Sequence, residues 1–131
     1  MSKRVKQMTE GVCVSVEVFY RAEQSNPVNN SYVFMYRITI DNYANVPLQL
    51  LRRNWYIVDS LTGMSNVEGE GVIGQTPILE CNETFQYVSG ANLRSEMGKM
   101  YGVYTFKNLF TNKEFEVIIP EFQLIAPFKA N

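Results

Sequence analysis

Apolar side chains recur at every second position through long stretches of this chain, a period that fits antiparallel sheet and little else. Val12, Val14, Val16, Val18 and Tyr20 share one parity, while Cys13, Ser15, Glu17 and Arg21 occupy the other. Successive side chains of a strand point to opposite faces, so this alternation predicts a strand with one buried face. Tyr32, Phe34, Tyr36, Ile38 and Ile40 repeat it until Asp41-Asn42, after a loop-like stretch of Ser, Asn and Pro at 25–31. Val46, Leu48 and Leu50 start a third strand. Leu51, Arg53, Trp55 and Ile57 continue it on the opposite parity, which predicts a bend or bulge between Gln49 and Leu51. Residues 59–63 read as a hairpin turn into a glycine-bearing strand at 65–73, and further strands are predicted at 84–89, 99–108, 115–119 and 122–125. Pro120 cannot donate to a ladder and so marks an edge or a break. No helical period, repeat or linker intervenes. The expectation is an all-β fold, a two-sheet β-sandwich of seven or eight strands with immunoglobulin-like or fibronectin-III-like architecture. A single domain at 11–131 follows a flexible N-terminus at 1–10.

Charge and residue usage narrow the chemistry. Lys and Arg total 12 against 13 for Asp and Glu, which creates no general field for a polyanion, so nucleic acid is not the expected partner. No apolar run reaches the length of a membrane span, and residues 1–10 lack the apolar stretch of a secretory signal, so a cytoplasmic location without membrane insertion is expected. Cys13 and Cys81 are the only cysteines and are read as thiols filling core or near-surface positions. The chain has no histidine. That removes the commonest general base and nucleophile activator, and with it serine–histidine and cysteine–histidine hydrolysis. Glu68 and Glu70 share a strand face, but read as a solvated pair; Asp41, Asp59, Glu80 and Glu83 are scattered, without the spacing of a calcium loop. No metal ligand set, cofactor or catalytic residue is assigned, and an enzyme is not expected.

The segment 69–74 contains G-x-G-x-x-G, a pattern that cradles pyrophosphate where its last glycine opens a helix. Here Gln75-Thr76-Pro77 follows, and proline so soon after the last glycine argues against a helix. A turn centred on Leu61 instead places Trp55 opposite Val67, Arg53 opposite Gly69 and Arg52 opposite Glu70. Gly69 and Gly71 then leave room for Arg53 and Trp55 on one face, with Val67 and Ile73 beside them. An alternative use keeps that geometry. Gly69, Gly71 and Gly74 can expose backbone amides as an anion nest beside the Arg53 fork, giving a pyrophosphate or nucleotide-phosphate site. Trp55 is expected in the core with an acceptor for its indole N–H. The aromatic residues exceed what one core buries, which leaves exposed rings suited to a protein partner.

Several short patterns occur in a characteristic order: Val46-Pro47-Leu48-Gln49-Leu50-Leu51; Arg53 with Trp55 and Ile57; Val67, Gly69, Gly71, Val72, Gly74 and Pro77; Phe85, Tyr87, Ser89 and Gly90; Gly98, Met100, Gly102 and Tyr104; Ile119-Pro120, Phe122 and Leu124. Together they resemble the bacterial ApaG family over about residues 12–126. The resemblance implies the sandwich fold, a link of bacterial members to cobalt resistance and magnesium efflux, and use of the same domain as an interaction module in eukaryotic F-box and polymerase-binding proteins. It implies structural roles for Trp55, Val67, Phe85, Tyr87 and Pro120, and no catalytic residue. A non-catalytic binding module with an unidentified protein partner is the expected function.

Overall fold

Each alternating run folds as a strand in the computed structural model, which describes residues 3–127. The strands are β1 (Lys3–Thr9), β2 (Val12–Tyr20), β3 (Tyr32–Asn42), β4 (Leu48–Asp59), β5 (Gly63–Glu70), β6 (Ile78–Leu79), β7 (Thr84–Leu93), β8 (Met97–Asn108) and β9 (Glu114–Ile125). Two short 3₁₀ turns, Ala22–Gln24 and Pro27–Asn29, fill the loop between β2 and β3. One antiparallel sheet has the order β1-β2-β3-β7, and the other β5-β4-β8-β9 with β6 also paired to β4. Two sheets with one apolar face each form a sandwich. Its core holds Val14, Val16, Phe34, Ile38 and Ile40 from the first sheet, and Leu50, Trp55, Tyr104, Phe106, Val117, Phe122 and Leu124 from the second.

The strands differ from the sequence reading most at three places, while β7 runs on to Leu93, β8 starts at Met97 and β4 starts at Leu48. Within the N-terminal segment expected to be flexible, Lys3–Thr9 pairs along its whole length with β2. Its residues are mostly polar, so period two gives little signal, and the turn that creates it is Glu10-Gly11 with φ of 46° and 86°. Positive φ at both central positions is the geometry of a two-residue hairpin, although Glu is a poor marker for it. Residues 1, 2 and 128–131 lie outside the described residues. The glycine strand expected at 65–73 ends at Glu70, because Gly71 adopts φ of 62°. The segments expected at 115–119 and 122–125 join into one β9, with a register shift opposite Met100 to Gly102. Pro120 falls at that irregularity in an outer strand, where a missing N–H costs no regular ladder bond. Nine strands thus stand where seven or eight were expected; β1 and the two-residue β6 are the additions.

The bend expected near Gln49 to Leu51 is a register shift between Leu50 and Arg52 in the β4–β8 pairing. It turns Arg53, Trp55 and Ile57 toward the interior, which builds the site described next.

Candidate functional site

The sandwich is closed along one side and open along the other. On the closed side β9 packs against β1 and β2, with the Ile118 amide donating to Thr9 Oγ1 at 3.2 Å. On the open side the outer strands are β5 and β7. Between them lies a cleft of about 330 Å³, lined by Tyr36 from β3, Arg53, Trp55 and Ile57 from β4, Val67 from β5, and Tyr87, Ser89 and Gly90 from β7. Val72 and Ile73 of the following turn and Met100 of β8 complete it.

The register predicted from the Leu61 turn is the one observed: Arg52 faces Glu70, Arg53 faces Gly69 and Trp55 faces Val67. A β-carbon at Gly69 would lie 2.7 Å from Arg53 Nη2 and 2.8 Å from Cζ, so the guanidinium rests on the bare Cα. Any larger residue here would displace the guanidinium from that position. Arg53 Nη1 donates to the Glu70 and Gly71 carbonyls, each at 2.9 Å. The side chain is half-buried, and among the described residues no carboxylate pairs with it.

Residues 72–75 form a tight turn, with Val72 N to Gln75 O at 2.8 Å and Gln75 N to Val72 O at 2.9 Å. Ile73 and Gly74 have φ of 42° and 76°, the pattern of a two-residue I′ turn. A β-carbon at Gly71 would collide with the Gln75 carbonyl, whereas one at Gly74 would meet nothing within 4 Å. The amides of Gly71, Val72 and Gln75 are therefore spent on the carbonyls of Leu51, Gln75 and Val72. Those of Ile73 and Gly74 remain at the tip of the turn. Gly69 and Gly71 meet Arg53, serving close approach and turn geometry, whereas Gly74 stands in open space at the tip of the turn.

The inner wall of the cleft is phenolic. Tyr87 and Tyr104 join hydroxyl to hydroxyl across the two sheets, and both are buried. Burial pushes the Tyr87 and Tyr104 hydroxyls well above the usual phenol range and raises that of Tyr36, with the positive Arg53 working in the opposite direction on each. Trp55 sits edge-on to Tyr104 and Phe122 in the core. Phe85 packs half-buried against Tyr87. Sequence reasoning found Arg53, Trp55, Val67, Phe85 and Tyr87 but not the meeting of Tyr36, Tyr87, Ser89 and Arg53 in one cleft. Alternation identifies the inward residues of each strand, not which strand of the other sheet they face.

These features define a β-sandwich domain with a lateral cleft that holds one unpaired cation among aromatic rings. The chain belongs to the ApaG family: the ApaG domain matches residues 22–108. It is 43% identical over 124 residues to Protein ApaG of Thiobacillus denitrificans, covering 92% of this chain and 97% of that one. Protein ApaG of Dechloromonas aromatica is 44% identical over 105 residues, covering 80% and 82%. The crystal structure of the putative ApaA protein from Bordetella pertussis superposes with a TM-score of 0.86 at 40% identity, covering 90% of this chain and 95% of that one.

Proposed function

We propose that this ApaG-family domain is a non-catalytic binding module whose lateral cleft receives a carboxylate-bearing segment of a protein partner. The observation that carries this reading is Arg53: a half-buried guanidinium, anchored on two backbone carbonyls, that forms no salt bridge with any carboxylate among the described residues. Removing a charge from water without a counter-ion is costly, and an incoming carboxylate offsets that cost by taking the remaining N–H donors. Val67 and Ile73, 43% and 55% exposed, offer apolar contact at the mouth. The phenols do not favour general-base work near neutral pH, because burial holds them protonated. The test is an immobilised array of acidic, neutral and basic peptides probed with purified protein and with the Arg53→Gln variant. Retention of acidic peptides by the parent and not by the variant is expected. Equal retention by both proteins overturns the reading.

A pyrophosphate or nucleotide-phosphate ligand at Gly69, Gly71, Gly74 and Arg53 is the second reading, favoured by the free amides of Ile73 and Gly74 in the turn that follows β5, whose Ile73 lines the same cleft as Arg53. Its check is a thermal shift with pyrophosphate that Arg53→Ala and Gly74→Ala both remove; at 100 times the dissociation constant the gain is about 2.7 kcal/mol. The link of the family to cobalt and magnesium is proposed to run through a partner. In support, the described residues include no group of three or more Cys, His, Asp or Glu placed to hold a metal ion. Among the described residues no helix is long and apolar enough to cross a membrane.

A further inference from the structure

The two outer strands of the second sheet are protected very differently. β9 carries Pro120 and a register shift, and its edge is engaged by Thr9 of β1. Proline, bulges and covering segments are the usual means of blocking unwanted strand pairing. β5 has none of them. Its eight residues pair in unbroken register with β4, and no described strand pairs with its other edge. All of β5 is exposed except Gly69, which is half-buried, and it contains no lysine, arginine or proline.

We infer that β5 is the docking edge for an extended segment of a partner protein, added antiparallel as a further strand, with an acidic residue opposite Gly69 and basic residues on either side of it. The inference rests on the binding-module reading and specifies how the partner lies. Alternation divides β5 into an inner set, Ser65, Val67 and Gly69, and an outer set, Met64, Asn66, Glu68 and Glu70. On the inner face Gly69 acts as a window. Because it has no side chain, the Arg53 guanidinium extends across it toward the free edge, within reach of an acidic side chain on an added strand. The next inward position of that strand faces Val67, which calls for an apolar residue.

The outer face demands the opposite charge. Glu68 and Glu70 line a second hollow of about 400 Å³ that Arg52, Arg53, Gly69 and Glu116 also border. Arg52 is already paired with Glu114 at 2.5 Å, and among the described residues Glu68 and Glu70 have no cation. Lysine or arginine opposite each of them completes the pairing. The complementary strand therefore reads basic, acidic, basic, apolar from its N-terminal end. Main-chain bonds to the edge supply affinity, and this alternation supplies selectivity.

The test uses the full chain, labelled with ¹⁵N, and a ten-residue capped threonine peptide carrying lysine, aspartate, lysine and isoleucine at those positions. Titration is expected to slow exchange at alternate amides of β5, since only every second N–H of an edge strand points outward. Aspartate to lysine in the peptide, or Arg53→Gln in the protein, is expected to weaken binding about tenfold or more. Glu68→Lys with Glu70→Lys is expected to reverse the preference toward a peptide with glutamate at the two lysine positions. Binding that depends on Arg53 without protection of β5 amides overturns strand addition and leaves the carboxylate cleft standing. Protection of β5 without dependence on Arg53 overturns the acidic register and the carboxylate reading together. Absence of binding to the peptide, when the array has yielded acidic ligands, overturns this inference alone. A concentration-dependent dimer of the protein by itself, with the same amides protected, overturns it in favour of a second copy.

Discussion

The residues around Arg53 separate two uses of glycine that look identical in sequence. Gly71 combines φ of 62° with a β-carbon position already occupied by the Gln75 carbonyl, whereas Gly74 has φ of 76° in open space. Gly71→Ala is therefore expected to cost about 2 to 5 kcal/mol through backbone strain plus displacement of the turn. Gly74→Ala should cost only about 1 kcal/mol, from strain alone. Urea unfolding of the two variants distinguishes these values, and equal losses would contradict the geometry. Ile73 is the converse case. A β-branched residue at φ of 42° is strained, and Asn tolerates that region, so Ile73→Asn should gain about 1 kcal/mol while removing an apolar contact from the cleft mouth. The glycine pattern was legible in the sequence, but not its division of labour. Which glycine meets a carbonyl and which meets solvent depends on a turn whose first central residue is isoleucine, a residue that gives no turn signal.

At the scale of elements, polar staples fix what alternation leaves loose. Asp59, at the end of β4, accepts the Leu61 amide at 2.9 Å, the Arg94 amide at 2.6 Å and the Ser95 hydroxyl at 2.7 Å. It thereby ties the β4–β5 turn to the β7–β8 turn. Burial on its own raises its pKa, but the hydrogen bonds from Ser95, Arg94, Leu61 and Thr62 prevail and hold the carboxyl below its ordinary value. A carboxyl depressed in the folded state contributes stability that is present above its unfolded pKa and lost as pH falls through the folded one. Asp59→Asn should therefore lose about 1 to 3 kcal/mol at neutral pH and flatten the decline in stability as pH falls below the ordinary aspartate value of about 4. Urea titrations at several acidic pH values check both parts. β9 makes an apolar counterpart. Phe122 packs on Tyr36 and Trp55 and is 3% exposed, so Phe122→Ala should cost about 3 to 5 kcal/mol in the same assay. The inward parity of Phe122 and Leu124 was readable beforehand. So was the β4–β5 register, because a short turn fixes a hairpin. β1 was not, since Arg4, Lys6 and Gln7 hide its single inward Val5.

Across the whole molecule the two sheets meet through phenols on the open side and aliphatic side chains on the closed side, and this asymmetry makes alkaline pH a probe of the cleft. Tyr36, Tyr87 and Tyr104 all have raised pKa values in the folded state, chiefly from burial. An unfolded chain releases these protons near the ordinary phenol value of about 10. The folded chain keeps them, so above that pH the unfolded state binds fewer protons and stability falls. Each hydroxyl that stays protonated contributes about 1.4 kcal/mol per pH unit, so Tyr87 and Tyr104 together give about 2.7 kcal/mol and Tyr36 adds to it in the same direction. Tyr87→Phe alone should weaken the fold at neutral pH by about 1 to 3 kcal/mol, because it strands the Tyr104 hydroxyl in the core. Tyr87→Phe with Tyr104→Phe should recover most of that loss, since both hydrogen-bonding partners are replaced by rings of the same shape. It should also reduce the alkaline slope to the part that Tyr36 contributes. Unfolding followed from pH 8 to 11.5, about one and a half units beyond the phenol value, measures the slope directly. A double variant that keeps the parental slope would place the alkaline loss elsewhere and deny the phenol pair its part in the pH dependence of the fold.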